Sequence, residues 1–338
     1  MKRNMKEWTH SLMSAGERMA MPIMTYPGLY FTGKKIPDLV TRGEDHFLCI
    51  KALADRYPSA AAVSVMDLSL EAEAFGASIA LSDDDVPTVR ERLVNDRAGI
   101  DALAVPEPGK GRTKEYLKAA SLAAQNIADK PVFAGMIGPY SLAGRLFDIS
   151  EFMVNVLIDP EGSHALLAKC TAFLKKYALA YKAAGCNGVV IAEPAAGLLA
   201  EDTCHEFSSK YVKEIVDEVQ DEYFMVILHN CGNTRELVSS MASTGAAGLH
   251  FGNAVNMEEI LPQVPSDRLA FGNIDPSGVF RNGNPATVKE AVKTLLAKTA
   301  SYRNYVLSSG CDVPPHTPIE NVNAFYEALQ EYNRFFRK

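Results

Sequence analysis

The sequence predicts an α/β chain folded as one closed (β/α)8 barrel, and three observations carry that prediction. Eight short β-rich runs alternate with helical stretches along the 338 residues. Most of these runs are continuously apolar rather than alternating, the pattern of parallel strands buried on both faces. No shift in composition and no internal repeat divides residues 1–338, and closed barrels of this length are ordinary as one domain.

The runs, in order, are Met21–Met24 (MPIM), Ala61–Met66 (AAVSVM), Pro131–Ile137 (PVFAGMI), Gly188–Ala192 (GVVIA), Tyr223–Leu228 (YFMVIL), Ala247–Phe251 (AGLHF), Leu269–Gly272 (LAFG) and Tyr305–Ser308 (YVLS). A helical extension over about residues 1–20 precedes the first. A long insertion follows the second and contains the polar, Pro/Gly-rich stretch VPEPGKGRTKEY, expected to be exposed. Asp159–Ala184 reads as a long amphipathic helix, with Leu166, Cys170, Phe173, Leu174, Tyr177 and Tyr181 at i, i+3, i+4 spacings. Asp159 or Ser163 is placed to cap its start and Gly185 to end it. Thr203 is the expected cap of a helix over Cys204–Gln220, and prolines 285 and 318 open two more. The rival architecture, an open doubly wound sheet, carries a glycine-rich phosphate loop after its first strand. MTYPGLYFTGKK is a poor match for one.

Composition narrows the function classes. Hydrophobic residues make up 47% and charged residues 22%, an ordinary globular balance. Net charge is -7 and no Lys/Arg run exceeds two residues, so nucleic acid is not an expected partner. The N-terminus has no continuous apolar h-region, and no stretch approaches the ~18 apolar residues of a membrane span. Six cysteines are too few for a disulfide scaffold, which makes a reduced, cytoplasmic setting the expectation.

In a barrel the carboxyl ends of all strands meet at one face, where catalysis takes place. Asp67 follows the second run and Glu193 the fourth. His229 ends the fifth, with Cys231 two residues on. Asn273 and Asp275 follow the seventh, and Cys311 the eighth. His229, Cys231 and Cys311 supply one imidazole and two thiols, a set suited to Zn2+ with its fourth position open, as a catalytic zinc requires. Gly232 and Gly310 beside the cysteines allow the backbone to bend close to an ion.

Each residue also has a plainer reading. A lone His at a strand end is commonly a hydrogen-bonded structural residue, and a lone Cys after a strand is commonly inert; it is their combination at one rim that favours a metal. Cys49, Cys170, Cys186 and Cys204 fall in or beside helices and read as packing. Glu193 reads as a fourth ligand, a base behind the ligands or a pocket carboxylate. Asp67 reads equally as a helix cap or as a pocket group for amide-like or pyrrole N–H donors. Of Glu71 and Glu73, at most one faces the site. His250 reads as a satisfied core histidine and His316 as exposed. Asn273 and Asp275 read first as turn residues, and their rim location also allows pocket contact.

At MDLSLEAEAFGASI, IGPYSLAGRLF, LHNCGNT, FGNIDP and SSGCDVPPHTPIENV the chain resembles the uroporphyrinogen decarboxylase superfamily. Within it, the chain is most similar to the zinc-dependent methylcobamide:coenzyme M methyltransferases. The resemblance runs from about residue 15 to the C-terminus and implies a (β/α)8 barrel of that type. The methyltransferases carry a His-x-Cys…Cys zinc motif, which falls here on His229, Cys231 and Cys311. The decarboxylases use no metal, and the arginines of their MRQAGRY signature hold the porphyrinogen carboxylates. The corresponding segment here is MTYPGLY, with Thr25 and Leu29 in place of those arginines. Neither side chain replaces a bidentate Arg–carboxylate contact. The decarboxylase aspartate that meets pyrrole N–H groups is matched by Asp67.

The resemblance therefore implies Zn2+, a methylated corrinoid on a partner protein as methyl donor, and a small thiol such as coenzyme M as acceptor. Zinc would lower the pKa of that thiol. Asp67, Glu193, Asn273 and Asp275 are the expected substrate-binding residues. Two alternatives remain: a metal-independent decarboxylase of uroporphyrinogen or a related tetrapyrrole, and a barrel that holds a corrinoid or corrinoid protein without turnover.

Overall fold

A computed structural model describes residues 2–336. Its strands, in chain order, are β1 (Ala62–Val63), the short antiparallel pair β2 (Ile79–Ala80) and β3 (Thr88–Val89), β4 (Val132–Ile137), β5 (Gly188–Ala192), β6 (Met225–Asn230), β7 (Gly248–Phe251), β8 (Leu269–Ile274) and β9 (Tyr305–Ser309). All except β2 and β3 join one parallel sheet in the order β1–β4–β5–β6–β7–β8–β9.

The expected first strand, Met21–Met24, closes this sheet without becoming a regular strand. Ala20 pairs parallel with Leu307, and the Met21 amide donates to the Leu307 carbonyl at 2.8 Å. On the other side the Ala60 amide donates to Ala20 O at 2.8 Å, and Thr25 Oγ1 donates to Val63 O at 2.9 Å. Pro22 has no N–H to give a ladder, and the Ile23 amide goes to the Ser309 hydroxyl at 3.1 Å. The segment is the eighth stave of a closed barrel, built partly from side-chain hydrogen bonds. Closure excludes the open doubly wound alternative.

Inward side chains, including Ile23, Val63, Phe133, Val190, Ile227 and Phe271, form a core of their own inside the barrel. The N-terminal helix Met5–Ser14 contributes Met5 and Trp8 to it, and the Trp8 and Phe133 rings lie 5.7 Å apart. Burying each such aliphatic or aromatic side chain is worth about 1.5–3 kcal/mol. Along β6, Met225 and Ile227 belong to this interior, and His229 follows at the same two-residue period. A polar group thus crowns an apolar interior. A second, larger core lies between the strands and the outer helices.

The helix Pro160–Ala183 follows its predicted spacing, with Leu166, Cys170, Phe173, Leu174, Tyr177 and Tyr181 all buried and Asp159 capping the Gly162 amide at 2.9 Å. At 1.5 Å per residue its 24 residues span about 36 Å, whereas a five-residue strand spans about 17 Å. It runs back to the start of β5, so its first turns overhang the C-terminal face. The helix expected over Cys204–Gln220 starts earlier, at Glu201, passes through a π-type turn at His205–Ser209 and continues as Lys210–Val219. Thr203 therefore lies inside it rather than capping it. The long insertion holds the helix Leu70–Phe75, the β2–β3 ribbon and the helix Arg97–Ala102, ahead of the helix Thr113–Asn126. Its Pro/Gly-rich stretch is not wholly exposed, because Arg112, Thr113 and Tyr116 are buried.

Candidate metal centre

One donor atom from each of His229, Cys231 and Cys311 lies within 4.8 Å of the others. The local sequence explains how they meet. His229 is the penultimate residue of β6 and is buried, while both cysteines are half-buried. The Asn230 side chain then turns the chain, donating to Glu193 O at 2.7 Å and accepting from the Gly232 amide at 2.8 Å. Gly252 passes directly against Cys231: a Cβ there would sit 2.4 Å from Cys231 Cα. Gly310 and Gly232 serve by the same close approach, since Cβ atoms at these positions would lie 2.7 Å from the Asn253 amide nitrogen and 3.0 Å from Gly197 Cα. Cys311 is held by its neighbours. The Gly310 amide donates to Ile274 O at 2.6 Å, and Asp312 Oδ2 accepts from the Met66 amide at 3.0 Å.

The two thiols are shifted in opposite directions. The hydrogen bond from Cys311 pushes the Cys231 thiol well down, with the His229 ring assisting, and the same bond together with burial pushes Cys311 up. Beside them, His229 Nε2 is buried and has no hydrogen-bond partner. The other ring nitrogen, Nδ1, lies 2.8 Å from His250 Nδ1. His250 Nε2 lies 2.8 Å from Ser308 Oγ, which donates to Met21 O at 2.7 Å. A buried imidazole nitrogen without a partner, grouped with two thiols within 4.8 Å, fits Zn2+ better than it fits a closed hydrogen-bond cluster.

The other expected site residues are placed differently. Glu193 does not join the donor set. Its Oε1 accepts from the Tyr140 amide at 2.8 Å, and its Oε2 from the Ser141 amide and hydroxyl at 2.9 and 2.8 Å. It caps the helix Pro139–Phe147, and burial pushes its carboxyl up to about 7. Asp67 is also fully engaged. Oδ2 accepts from Arg112 at 2.5 Å and from the Tyr116 hydroxyl at 2.9 Å, while Oδ1 takes the Ser69 amide at 3.0 Å and its hydroxyl at 2.6 Å. Each oxygen already accepts two hydrogen bonds from the chain, and the Ser69 contacts are those of the capping reading of Asp67. Asn273 donates to Gly252 O at 2.9 Å and Val255 O at 2.7 Å, steadying the loop that presses on Cys231. Asp275 caps the turn Pro276–Arg281, its Oδ1 accepting from the Ser277 and Gly278 amides. His316 is exposed, and the four helical cysteines are buried, both as expected.

Several residues escaped the sequence reading. Glu71 is fully buried; Oε1 accepts from the Ile137 amide at 3.1 Å, Oε2 has no partner, and burial pushes the carboxyl up to about 8. Arg145, half-buried in the helix Pro139–Phe147, has no hydrogen bond or ion pair among the described residues. Burial lowers its pKa while the charge of nearby Asp67 opposes that. Tyr26 OH, Glu71 Oε2, Tyr140 OH, His229 Nε2, Thr234 Oγ1 and Asp312 Oδ1 are all buried without a partner. His229 lies in a stave and the other five follow one in the sequence, and further buried atoms without a hydrogen-bond partner, of Asp45, His46, Asn321 and Tyr326, lie on the helices Gly43–Arg56 and Ile319–Phe336.

Fold and site together define a closed (β/α)8 barrel with a soft, three-donor centre at its mouth. The family described as Uroporphyrinogen decarboxylase (URO-D) matches residues 18–332, and the chain belongs to this family. A methylcobamide:CoM methyltransferase, MtbA of Methanosarcina acetivorans, is 29% identical over 270 residues, covering 79% of this chain and 78% of that protein. A uroporphyrinogen decarboxylase of Azotobacter vinelandii is 27% identical over 297 residues, covering 84% and 82%. The solved structure of a methyltransferase from Methanosarcina mazei superposes with a TM-score of 0.87 at 22% identity, covering 97% of this chain and 99% of that one. That likeness shows the fold.

Proposed function

We propose that the protein is a zinc-dependent methyltransferase that moves a methyl group from a corrinoid-bound methyl donor on a partner protein to a small thiol such as coenzyme M. The observation that carries this reading is the partnerless, buried Nε2 of His229 in a group whose donor atoms, with those of the thiols of Cys231 and Cys311, lie within 4.8 Å of one another. Relatives named methylcobamide:CoM methyltransferase at 28–29% identity support it. They do not decide it alone, because decarboxylases are about as similar.

His229, Cys231 and Cys311 would hold the ion. When bound, Zn2+ lowers the pKa of a thiol so that the thiolate nucleophile forms near neutral pH. Cys231 and Cys311 would hold the ion as thiolates, so binding would release their protons. Arg145 is the cation available to the anionic end of an acceptor such as coenzyme M, since nothing else in the described chain claims it. The end of the preceding helix Ile149–Ile158, with Leu157 and Ile158 79% and 75% exposed, offers apolar surface to a docking protein that brings the methyl group.

Two features set the decarboxylase reading aside. Thr25 is buried in the barrel closure and Leu29 packs against the core, so neither place offers a cation to a polycarboxylate. Asp67 is occupied by Arg112 and Tyr116. Metal analysis and an assay of methyl transfer from free methylcobalamin to coenzyme M test the proposal. The expected result is about one zinc per chain, with metal and activity lost together in Cys311→Ser. Activity that survives removal of all metal contradicts it, and metal without turnover favours the corrinoid-holding alternative.

A further inference from the structure

Below the centre two histidine rings meet nitrogen to nitrogen, which is possible only if one proton lies between them. The hydrogen bonds decide which ring owns that proton, starting from Met21. Its carbonyl can only accept, so the single Ser308 hydroxyl proton is committed to it at 2.7 Å. Ser308 Oγ must then accept from His250 Nε2, 2.8 Å away, so that nitrogen carries a proton. A neutral His250 protonated there presents a lone pair at Nδ1. The proton across the 2.8 Å Nδ1–Nδ1 contact therefore belongs to His229. His229, protonated at Nδ1, is left with a bare lone pair at Nε2, the buried atom that faces the two sulfurs without a partner.

We infer that His250 is a positioning residue that, through Ser308 and the Met21 carbonyl, fixes His229 in the one tautomer able to bind a metal. The inference rests on the zinc reading of the centre and extends it to a residue that touches no reacting atom. The strand register makes the device possible. His229 of β6 lies directly across from His250 of β7, and Ser308 of β9 reaches His250 across the barrel interior. The final acceptor is part of the closing stave, whose position Ala20 and Thr25 fix by their own hydrogen bonds. The opposite orientation of the chain would leave His229 with a proton on Nε2 and no lone pair for the ion. Partners of this kind around a metal-bound histidine are typically worth about 10–100-fold in metal affinity.

The test labels histidine with 15N and reads long-range 15N–1H correlations of the metal-free full chain, which show which nitrogen of each ring carries the proton. Zinc affinity is measured in parallel by chelator competition for the wild type, His250→Leu, His250→Gln and Ser308→Ala. The expected spectrum has His229 protonated at Nδ1 and bare at Nε2. His250→Leu is expected to bind zinc at least about tenfold more weakly. His250→Gln, whose amide can both accept from His229 and donate to Ser308, should recover most of that loss. A wild-type His229 protonated at Nε2 overturns the inference, and so does a loss below about tenfold in His250→Leu. If His250→Leu fails to fold, the wild-type spectrum decides alone. If the wild type binds no zinc, the functional proposal fails while the spectrum still judges the tautomer.

Discussion

At the scale of single residues the centre is economical, because each donor has little slack. Replacing Cys231 or Cys311 by Ala is expected to abolish zinc binding and activity together, measured as metal content per chain against methyl-transfer rate. A metal-free variant with full activity contradicts the assignment. Arg145→Gln should raise KM for an anionic thiol by about tenfold or more, in line with losing a charge-assisted contact, and leave zinc content unchanged. An unaltered KM would show that the guanidinium faces no substrate. The grouping of His229, Cys231 and Cys311 was legible in the sequence because each sits where a strand run ends, and a barrel turns strand ends into neighbours. The ion pair of Asp67 was not legible, for the opposite reason. Its partner Arg112 lies 45 residues away in a Pro/Gly-rich stretch that carries no periodicity, so nothing local announced the buried pair. His250 did read correctly as a satisfied core histidine, but its partner across the register could not be seen from its own strand.

At the scale of elements, side chains stitch the excursions to the barrel. Arg112 joins the start of the helix Thr113–Asn126 to Asp67 and Glu73 around the helix Leu70–Phe75. Arg112→Met leaves a buried carboxylate without its cation and is expected to destabilise the fold by about 3–5 kcal/mol in denaturant unfolding. A change below about 1 kcal/mol would show that the pair contributes little. Glu71 makes a prediction with a definite sign. Burial pushes its carboxyl up to about 8, against 4.5 for an ordinary glutamate. The folded chain keeps a proton that the unfolded chain releases, so stability present below pH 4.5 is lost as pH rises toward about 8. Glu71→Gln removes this dependence, and its advantage over the wild type should grow between about pH 5 and pH 8, reaching a few kcal/mol. An advantage that stays flat with pH contradicts the assignment. Most elements followed from apolar periodicity. The first stave did not become a strand, because Pro22 withholds a ladder amide, and Thr203 missed its cap because the helix began with the acidic turn at Glu201.

At the scale of the molecule, closure does the organising. Consecutive parallel strands and an irregular eighth stave bring residues from 229 to 311 to one mouth, above an apolar interior stoppered below by Trp8. The eight-run count conveyed this architecture in advance. The overhang was not legible, because it depends on a helix being longer than the strands it spans. Substituting Leu157 and Ile158 together by Glu is expected to lower methyl transfer from a corrinoid protein by about tenfold or more while sparing transfer from free methylcobalamin. Equal losses with both donors would mean that this helix end does not dock a protein. The central claim is the mixed nitrogen and sulfur centre, and X-ray absorption at the zinc edge, recorded before and after addition of the thiol, tests it most directly. The account predicts a bound zinc with two sulfur neighbours and one imidazole from the protein, gaining a third sulfur when the thiol is added. A chain that holds no zinc, or a zinc whose shell contains no cysteine sulfur, would contradict it.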